Sequence, residues 1–410
     1  MKTQMRWTVG MAALVAAAGC GGDSGTQGAW AGTMVDSAGI TVVHNPAQGL
    51  WGPEEGWGLE EVFRVGGLGA DEAGQFSMVV GVDADGAGRV YVADQQARRI
   101  QVFNPDGGHA ATLGSPGEGP GEFGPALAGV FVSDTHVRAP DLTNQRVNLF
   151  TLDGEPDGSI SFLLTGGVPV RWDETASGDL AAQLRGMAVE GMAELAAGDP
   201  VITIRGGDAE PDTVGFLPKG QSLDFGGGQP RIRLFEPEPI WDVDETGRFA
   251  SAMNSDYRIE LRTGRTLDRI ITRPFTRRDV TEGEKAKILD MVRELMLAQG
   301  VPPQALPQVL DAMEFAEHYP AFAQLLLGPS GTLWVQRIQT AGQVEDPAEF
   351  DPQDLGSADW DVFDAEGRYL GMVTMPTRFQ PVRLVGDVLY GVERDEFDVQ
   401  SVVGYRVSPR

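Results

Sequence analysis

Cysteine is nearly absent: Cys20 is the single thiol in 410 residues, and there are only four histidines and four lysines. One cysteine can neither close an internal disulfide nor assemble a thiolate zinc site, so burial alone must hold the fold. The histidines, His44, His109, His136 and His318, include no pair at helical spacing. Each reads as a surface residue rather than a metal ligand or general base. GxSxG, P-loop and HExxH patterns are missing, which removes support for a nucleophilic hydrolase, a nucleotide enzyme or a zincin. Positive charge is scarce as well. Lysine and arginine total 32 against 59 acidic residues, a formal net charge of −27. A surface that acidic repels phosphate backbones, which argues against nucleic acid as a partner. Beyond Cys20 no apolar run approaches the ~18 residues that a membrane helix needs. With 41% hydrophobic residues, the chain has material for one large or two ordinary globular domains.

The first twenty positions have a different character from the rest. Lys2 and Arg6 precede the apolar run TVGMAALVAAAG, which ends at Cys20 and is followed by GGDSGTQG. A basic start, a short apolar stretch and a small-residue cleavage site define an export signal rather than a membrane helix. The segment AAGC resembles the bacterial lipobox, in which the cysteine is acylated and becomes the mature N-terminus. Ala17 stands where that pattern more often has leucine. The resemblance implies a signal peptide over 1–19, lipidation at Cys20 and a flexible tether over 20–36, with the globular part from 37 to 410. Gly21 in place of a retention aspartate resembles outer-membrane lipoproteins, facing the periplasm or the surface. The membrane is then a partner through the lipid, and random-coil scaling gives the tether a reach of about 20 Å.

The body of the chain repeats itself. At an offset of 47 residues, Gly74-Gln75-Phe76 matches Gly121-Glu122-Phe123, Asp94 matches Asp141, Arg99-Ile100 matches Arg146-Val147, and Phe103 matches Phe150. Between these anchors, apolar residues alternate and Asp-Gly turns interrupt them, as antiparallel hairpins require. Weaker copies run over 168–217, 239–271, 324–375 and 379–407, the last one strand short, for six units in all. GITVVHN and LEEVFRVGG, near the N-terminus, are both available to supply the missing edge. Small four-stranded sheets repeated in this way bury their faces only against neighbours around a ring. The expected fold is therefore all-β, a six-bladed β-propeller. GRVYVADQQARRIQVFNPDG and LGSPGEGPGEFG resemble the NHL-repeat family of six-bladed propellers, which includes bacterial lipoproteins.

One stretch, 279–319, departs from the β pattern. Thr281 and Glu284 have capping-box spacing, and Ile288, Met291, Val292, Leu295 and Met296 share a helical face. Gly300 and Pro302 end that helix, and a second is expected from about Gln304 to His318. This helical hairpin is an insertion between blades four and five, either a packed cover or a lid over the central opening.

Candidate site residues are few. Asp83-Ala-Asp85-Gly86 and Asp242-Val-Asp244 superficially resemble calcium loops but lack EF-hand spacing, and they fall where each blade needs its first turn. Asp94 with Arg99, and Asp141 with Arg146, recur in register, which suits a structural clamp rather than catalysis. Trp172, Trp241, Trp334 and Trp360 sit in or beside strands, either as core or as flat faces for a sugar or a protein. Arg394, Asp395 and Glu396 form a polar cluster in the last unit, a solvated turn or a binding rim. The leading expectation is a tethered propeller that binds or scaffolds an envelope protein, peptide or glycan and needs no cofactor. The alternative, from the resemblance in fold, is a propeller enzyme of lactonase, hydrolase or lyase type, with calcium as its cofactor.

Overall fold

Successive residues of a strand leave it in opposite directions, and in Val90–Asp94 both directions are core. Val90 and Val92 pack with Phe63, Tyr390 and Val402 on one side. Tyr91 and Ala93 pack with Leu127, Val137 and Phe150 on the other. Such a strand belongs to a sheet with a neighbouring sheet on each face, the condition met by a blade in a ring. The computed structural model describes residues 30–410 apart from 53–54, 163–166, 189–197, 206–211, 221–222, 225–230, 299, 345–349 and 353. Cys20, the expected signal peptide and the first part of the expected tether lie outside the described residues.

The protein is a six-bladed β-propeller. Blade 1 comprises Val79–Ala84, Val90–Asp94, Arg99–Phe103 and His109–Leu113, in order from the axis outward. Blade 2 follows over Phe131–Val132, His136–Asp141, Arg146–Thr151 and Pro156–Ser161, and blade 3 over Val168–Glu174, Leu180–Arg185, Asp199–Ile204 and Thr213–Leu217. Blade 4 uses Pro239–Val243, Arg248–Met253, Arg258–Thr263 and Thr266–Thr272, and blade 5 uses Leu325–Leu327, Leu333–Ile338, Gly356–Phe363 and Tyr369–Thr374. Blade 6 takes three strands from the C-terminus, Phe379–Val385, Val388–Arg394 and Gln400–Pro409, and its outermost strand from the N-terminal side, Trp57–Gly66. Each blade interface has its own hydrophobic cluster, so the core is a set of wedges around the axis rather than one central mass.

Of the two segments available for ring closure, LEEVFRVGG performs it. GITVVHN goes elsewhere: Thr41–His44 adds in parallel to Arg269–Thr272 at the outer edge of blade 4, and Thr33–Ser37 folds back on Ile40–His44. Thr33–Ser37, where the tether was expected to end, is thus strand, and a tight turn with Ala38 and Gly39 at positive φ closes this hairpin.

The insertion differs from expectation in its second half. The Glu282–Ala298 helix begins with the capping box, Glu284 N–H donating to Thr281 Oγ1 at 3.3 Å and the Glu284 carboxylate accepting from Thr281 N at 3.0 Å. Ile288 is buried and Met291 and Val292 pack beside it, whereas Leu295 is 57% exposed, so the apolar stripe is used only near its start. The second helix is short, Leu306–Asp311, and Met313–Phe315 is a strand, parallel to Ile232–Leu234. Pairing with a segment some eighty residues earlier overrides the local helical pattern. Phe235, Tyr319 and Phe350 complete this satellite core.

Candidate functional site

Each inner strand runs into a hairpin turn, and these turns rim one mouth of a central cavity of about 1610 Å³. Blade-to-blade crossings, including the helical insertion, leave from the opposite end of the strands. The insertion therefore lies away from this mouth and does not cover it. Two residues ahead of each turn, the six blades place Asp83, Phe131, Asp173, Asp242, Leu326 and Arg383. Three acids and one base at equivalent positions of a ring make an electrostatic floor.

Arg383, from blade 6, reaches the opposite side of the axis. Its guanidinium bonds Asp173 Oδ1 of blade 3 and lies 3.5 Å from Glu174 Oε2 and 3.6 Å from Asp83 Oδ1 of blade 1. Arg138 of blade 2 donates to Glu174 Oε1 and to the Gly178 carbonyl. Arg171 pairs with Asp242 Oδ1 at 3.2 Å while covering the Trp241 ring, 5.3 Å from its centroid. Backbone donors complete the set: Val132 N–H on Asp83 Oδ2 at 2.7 Å and Leu327 N–H on Asp242 Oδ2 at 2.6 Å, both from the next blade round the ring. Every carboxylate of the floor is thus bonded to a guanidinium, a backbone N–H or both.

Burial pushes Asp83 and Glu174 above the usual carboxylate range. Asp242 is pushed up to about 8, first by burial and then by the charge of Asp173. Between about pH 4 and pH 8, the folded chain therefore keeps a proton on Asp242 that the unfolded chain has released. This contribution to stability is complete below the unfolded pKa and is lost as pH rises through the folded one. Asp242→Asn removes it. The native protein is expected to lose more melting temperature between pH 5 and pH 8 than this variant. Parallel profiles would contradict the assignment.

These carboxylates bear on the calcium expectation. Among the described residues no three histidine, cysteine, aspartate or glutamate side chains are grouped to hold a metal ion. The donor set at the floor does not fit one either, because its oxygens already face arginines and amides. The two acidic clusters, expected as blade turns, divide by position. Asp85 and Asp244 are turn residues, each accepting two backbone N–H groups and the side chain of the arginine four residues on, Arg89 and Arg248. Asp364 and Arg368 repeat the arrangement in blade 5. Asp83 and Asp242 belong to the floor.

The other candidates are dispersed. Trp172 lines the cavity, packed against Phe162 at 5.5 Å. Trp241, Trp334 and Trp360 are fully buried, the first donating to Gln183 Oε1 at 2.9 Å, so they present no face to a ligand. Arg394, Asp395 and Glu396 lie at the other end of blade 6, where Asp395 Oδ1 accepts from Phe397 and Val399 N–H and closes a turn. Asp94 and Arg99 face each other in register but do not bond one another. Asp94 accepts from Ser77, Met78 and Ala97 N–H, and Arg99 donates to the Glu72 and Gln75 carbonyls. Asp141 and Arg146 hold the next crossing in the same way, through Gly124 N–H and the Gly119 and Glu122 carbonyls. The histidines lie outside the cavity, His109 beside Gln101 and His136 beside Asp157. Sequence reasoning missed Arg138, Arg171, Asp173, Glu174 and Arg383. The available signal was a charge at the same position before the turn in four of the six units.

Fold and cavity together define a six-bladed propeller with an ion-paired axial floor. No family model matches the chain, and no curated protein matches it. Solved structures do. A putative exported protein from Bacteroides fragilis is similar over 90% of this chain and 100% of its own, with 11% identity and a TM-score of 0.51. A member of the DUF4221 family from Bacteroides vulgatus is similar over 86% of this chain and 99% of its own, again with 11% identity and a TM-score of 0.51. A virginiamycin B lyase from Staphylococcus aureus reaches 0.41 at 12% identity, over 85% of this chain and 99% of its own, and carries no argument about function.

Proposed function

We propose that this chain is an exported, lipid-anchored propeller of the NHL-repeat type that acts as a binding module, taking a polar segment of an envelope protein, peptide or glycan into its central cavity. The observation that carries the reading is the floor. A wide cavity ends on carboxylates and arginines that satisfy one another, which suits recognition of hydrogen-bonding groups rather than delivery of a free base or a metal. The likeness to a putative exported protein and the basic-apolar start ending at Cys20 support the location. Trp30, which donates to Asn45 at 3.2 Å beside blades 4 and 5, puts the start of the described chain at the outer rim. A tether there leaves the cavity mouth open.

Peptide and glycan arrays probed with the full-length protein test the reading. Val382 lines the cavity and is 41% exposed. Val382→Trp narrows the mouth, and ligands held by the native protein are expected to be lost from this variant. Unchanged retention would move binding elsewhere on the surface. A rise in melting temperature with calcium, reversed by a chelator, would instead favour the enzymatic alternative. The anchor has its own test: Cys20→Ser should shift the protein from the membrane fraction to the soluble one. Continued membrane retention would refute lipidation.

A further inference from the structure

A second cavity, of about 640 Å³, lies between blades 4 and 5 at the end occupied by the helical insertion. Its charged lining runs against the acidity of the chain: Arg273, Arg278 and Arg337 face it, with Asp359 and Asp361. Asp361 is fully buried and saturated. Its Oδ2 accepts from Tyr257 at 2.8 Å and Arg273 Nη1 at 2.9 Å, and its Oδ1 from Tyr369 at 2.9 Å and from Nε and Nη2 of Arg337 at 2.9 and 2.6 Å. One carboxylate therefore holds two guanidiniums in place and neutralises only one of them. Arg273 is pinned further, its guanidinium 4.2 Å from the Tyr369 ring centroid and Nη2 donating to the Ala47 carbonyl. Its Nε is buried without a partner among the described residues. Arg278 is held at one nitrogen, Nη1, by Gln343. Asp359 accepts from Thr374 and keeps its charge, so three guanidiniums against two carboxylates leave one positive charge in surplus.

Preorganised guanidinium donors with surplus positive charge are an anion site, since their charge-assisted hydrogen bonds to a carboxylate are strong and fixed in direction. The remaining walls decide the class of anion. Phe275, Tyr319, Pro320 and Ile338 line the same space, so the ligand combines one anionic end with an apolar body. We infer that this cavity binds a small carboxylic acid with an apolar or aromatic body, its carboxylate among Arg273, Arg278 and Arg337 and its body against Phe275 and Ile338. The site is separate from the axial cavity and shares no lining residue with it.

Calorimetric titration of the full-length protein with phenylacetate is the experiment, with benzyl alcohol as the uncharged counterpart and inorganic phosphate as the anion without a body. Saturable binding of phenylacetate, with neither of the others bound at the same concentration, is expected. Arg278→Gln, at an exposed position apart from the Asp361 cluster, should weaken binding by about tenfold, the loss of one charge-assisted contact, with an unchanged melting temperature in the absence of ligand. Arg337→Gln should abolish binding, and Arg278→Gln keeps the test decisive if that variant does not fold. No binding of phenylacetate, equal binding of benzyl alcohol, preference for phosphate, or full affinity in Arg278→Gln would each overturn the inference.

Discussion

Replacing Arg383 by methionine is expected to lower stability by about 3–5 kcal/mol at neutral pH, the cost of removing one partner from a buried ionic cluster. The substitution keeps much of the side-chain volume and takes away the one cation shared by Asp83, Asp173 and Glu174. Their charges then face one another across the axis with only Arg138 remaining, on Glu174. Acid should relieve the defect. Asp83 and Glu174 already bind protons more readily than ordinary carboxylates, and without Arg383 that tendency increases. The gap in melting temperature between native protein and Arg383→Met should be largest at alkaline pH and shrink as pH falls and Asp83 and Glu174 take up protons. Thermal unfolding at a series of pH values measures it. A gap that does not change with pH, or one of less than about 1 kcal/mol, the range of an exposed pair, would show that Arg383 is not the counter-charge of the floor.

The ring was legible in the chain, and the reason is mechanical. Gly74-Gln75-Phe76 and Gly121-Glu122-Phe123 recur because each crossing must be gripped by the following blade, through Asp94 with Arg99 and then Asp141 with Arg146. A constraint imposed once per blade leaves a period in the sequence. The floor left no comparable trace, because its members are different residues, Asp in three blades and Arg, Phe or Leu in the others. Their meaning depends on which blades face each other: Arg383 meets Asp173 only because six blades put blade 6 opposite blade 3. The helical insertion shows the same limit. Its first cap is local and was readable, whereas the strand at Met313–Phe315 exists through a distant partner at Ile232–Leu234. For the tryptophans, strand position alone did not separate Trp172, beside the cavity, from Trp241, Trp334 and Trp360, sealed between blades.

Deleting residues 57–66 is expected to abolish cooperative folding, because this strand pairs with the C-terminal one from Trp57↔Pro409 to Gly66↔Ser401 and runs on from blade 6 into the first strand of blade 1. Its Phe63 and Val65 also fill the wedge between those two blades. The segment before it has a separate task. Asn45 donates to the Gly367 carbonyl at 2.9 Å and accepts from Tyr369 N–H at 2.6 Å, and Trp51 N–H donates to the Leu370 carbonyl at 2.7 Å, so the chain leaves blade 4 and laces the outer strand of blade 5. Trp57 then meets Trp334 edge to face at 5.7 Å. Residues 33–66 thus bind three consecutive blades along the rim. The two tasks differ in severity. Removing 33–46 peels an added hairpin from blade 4, already complete with four strands, takes away the Asn45 bonds to blade 5, and should lower the melting temperature while leaving one cooperative transition. Removing 57–66 bares Val403, Tyr405 and Val407, which a closed ring keeps buried. Phe63→Ala supplies an intermediate case, with an expected loss of about 3–5 kcal/mol for a buried phenylalanine. Chemical denaturation of the three variants orders them, and equal stability of the 33–46 and 57–66 deletions would show that the ring does not depend on this strand for closure.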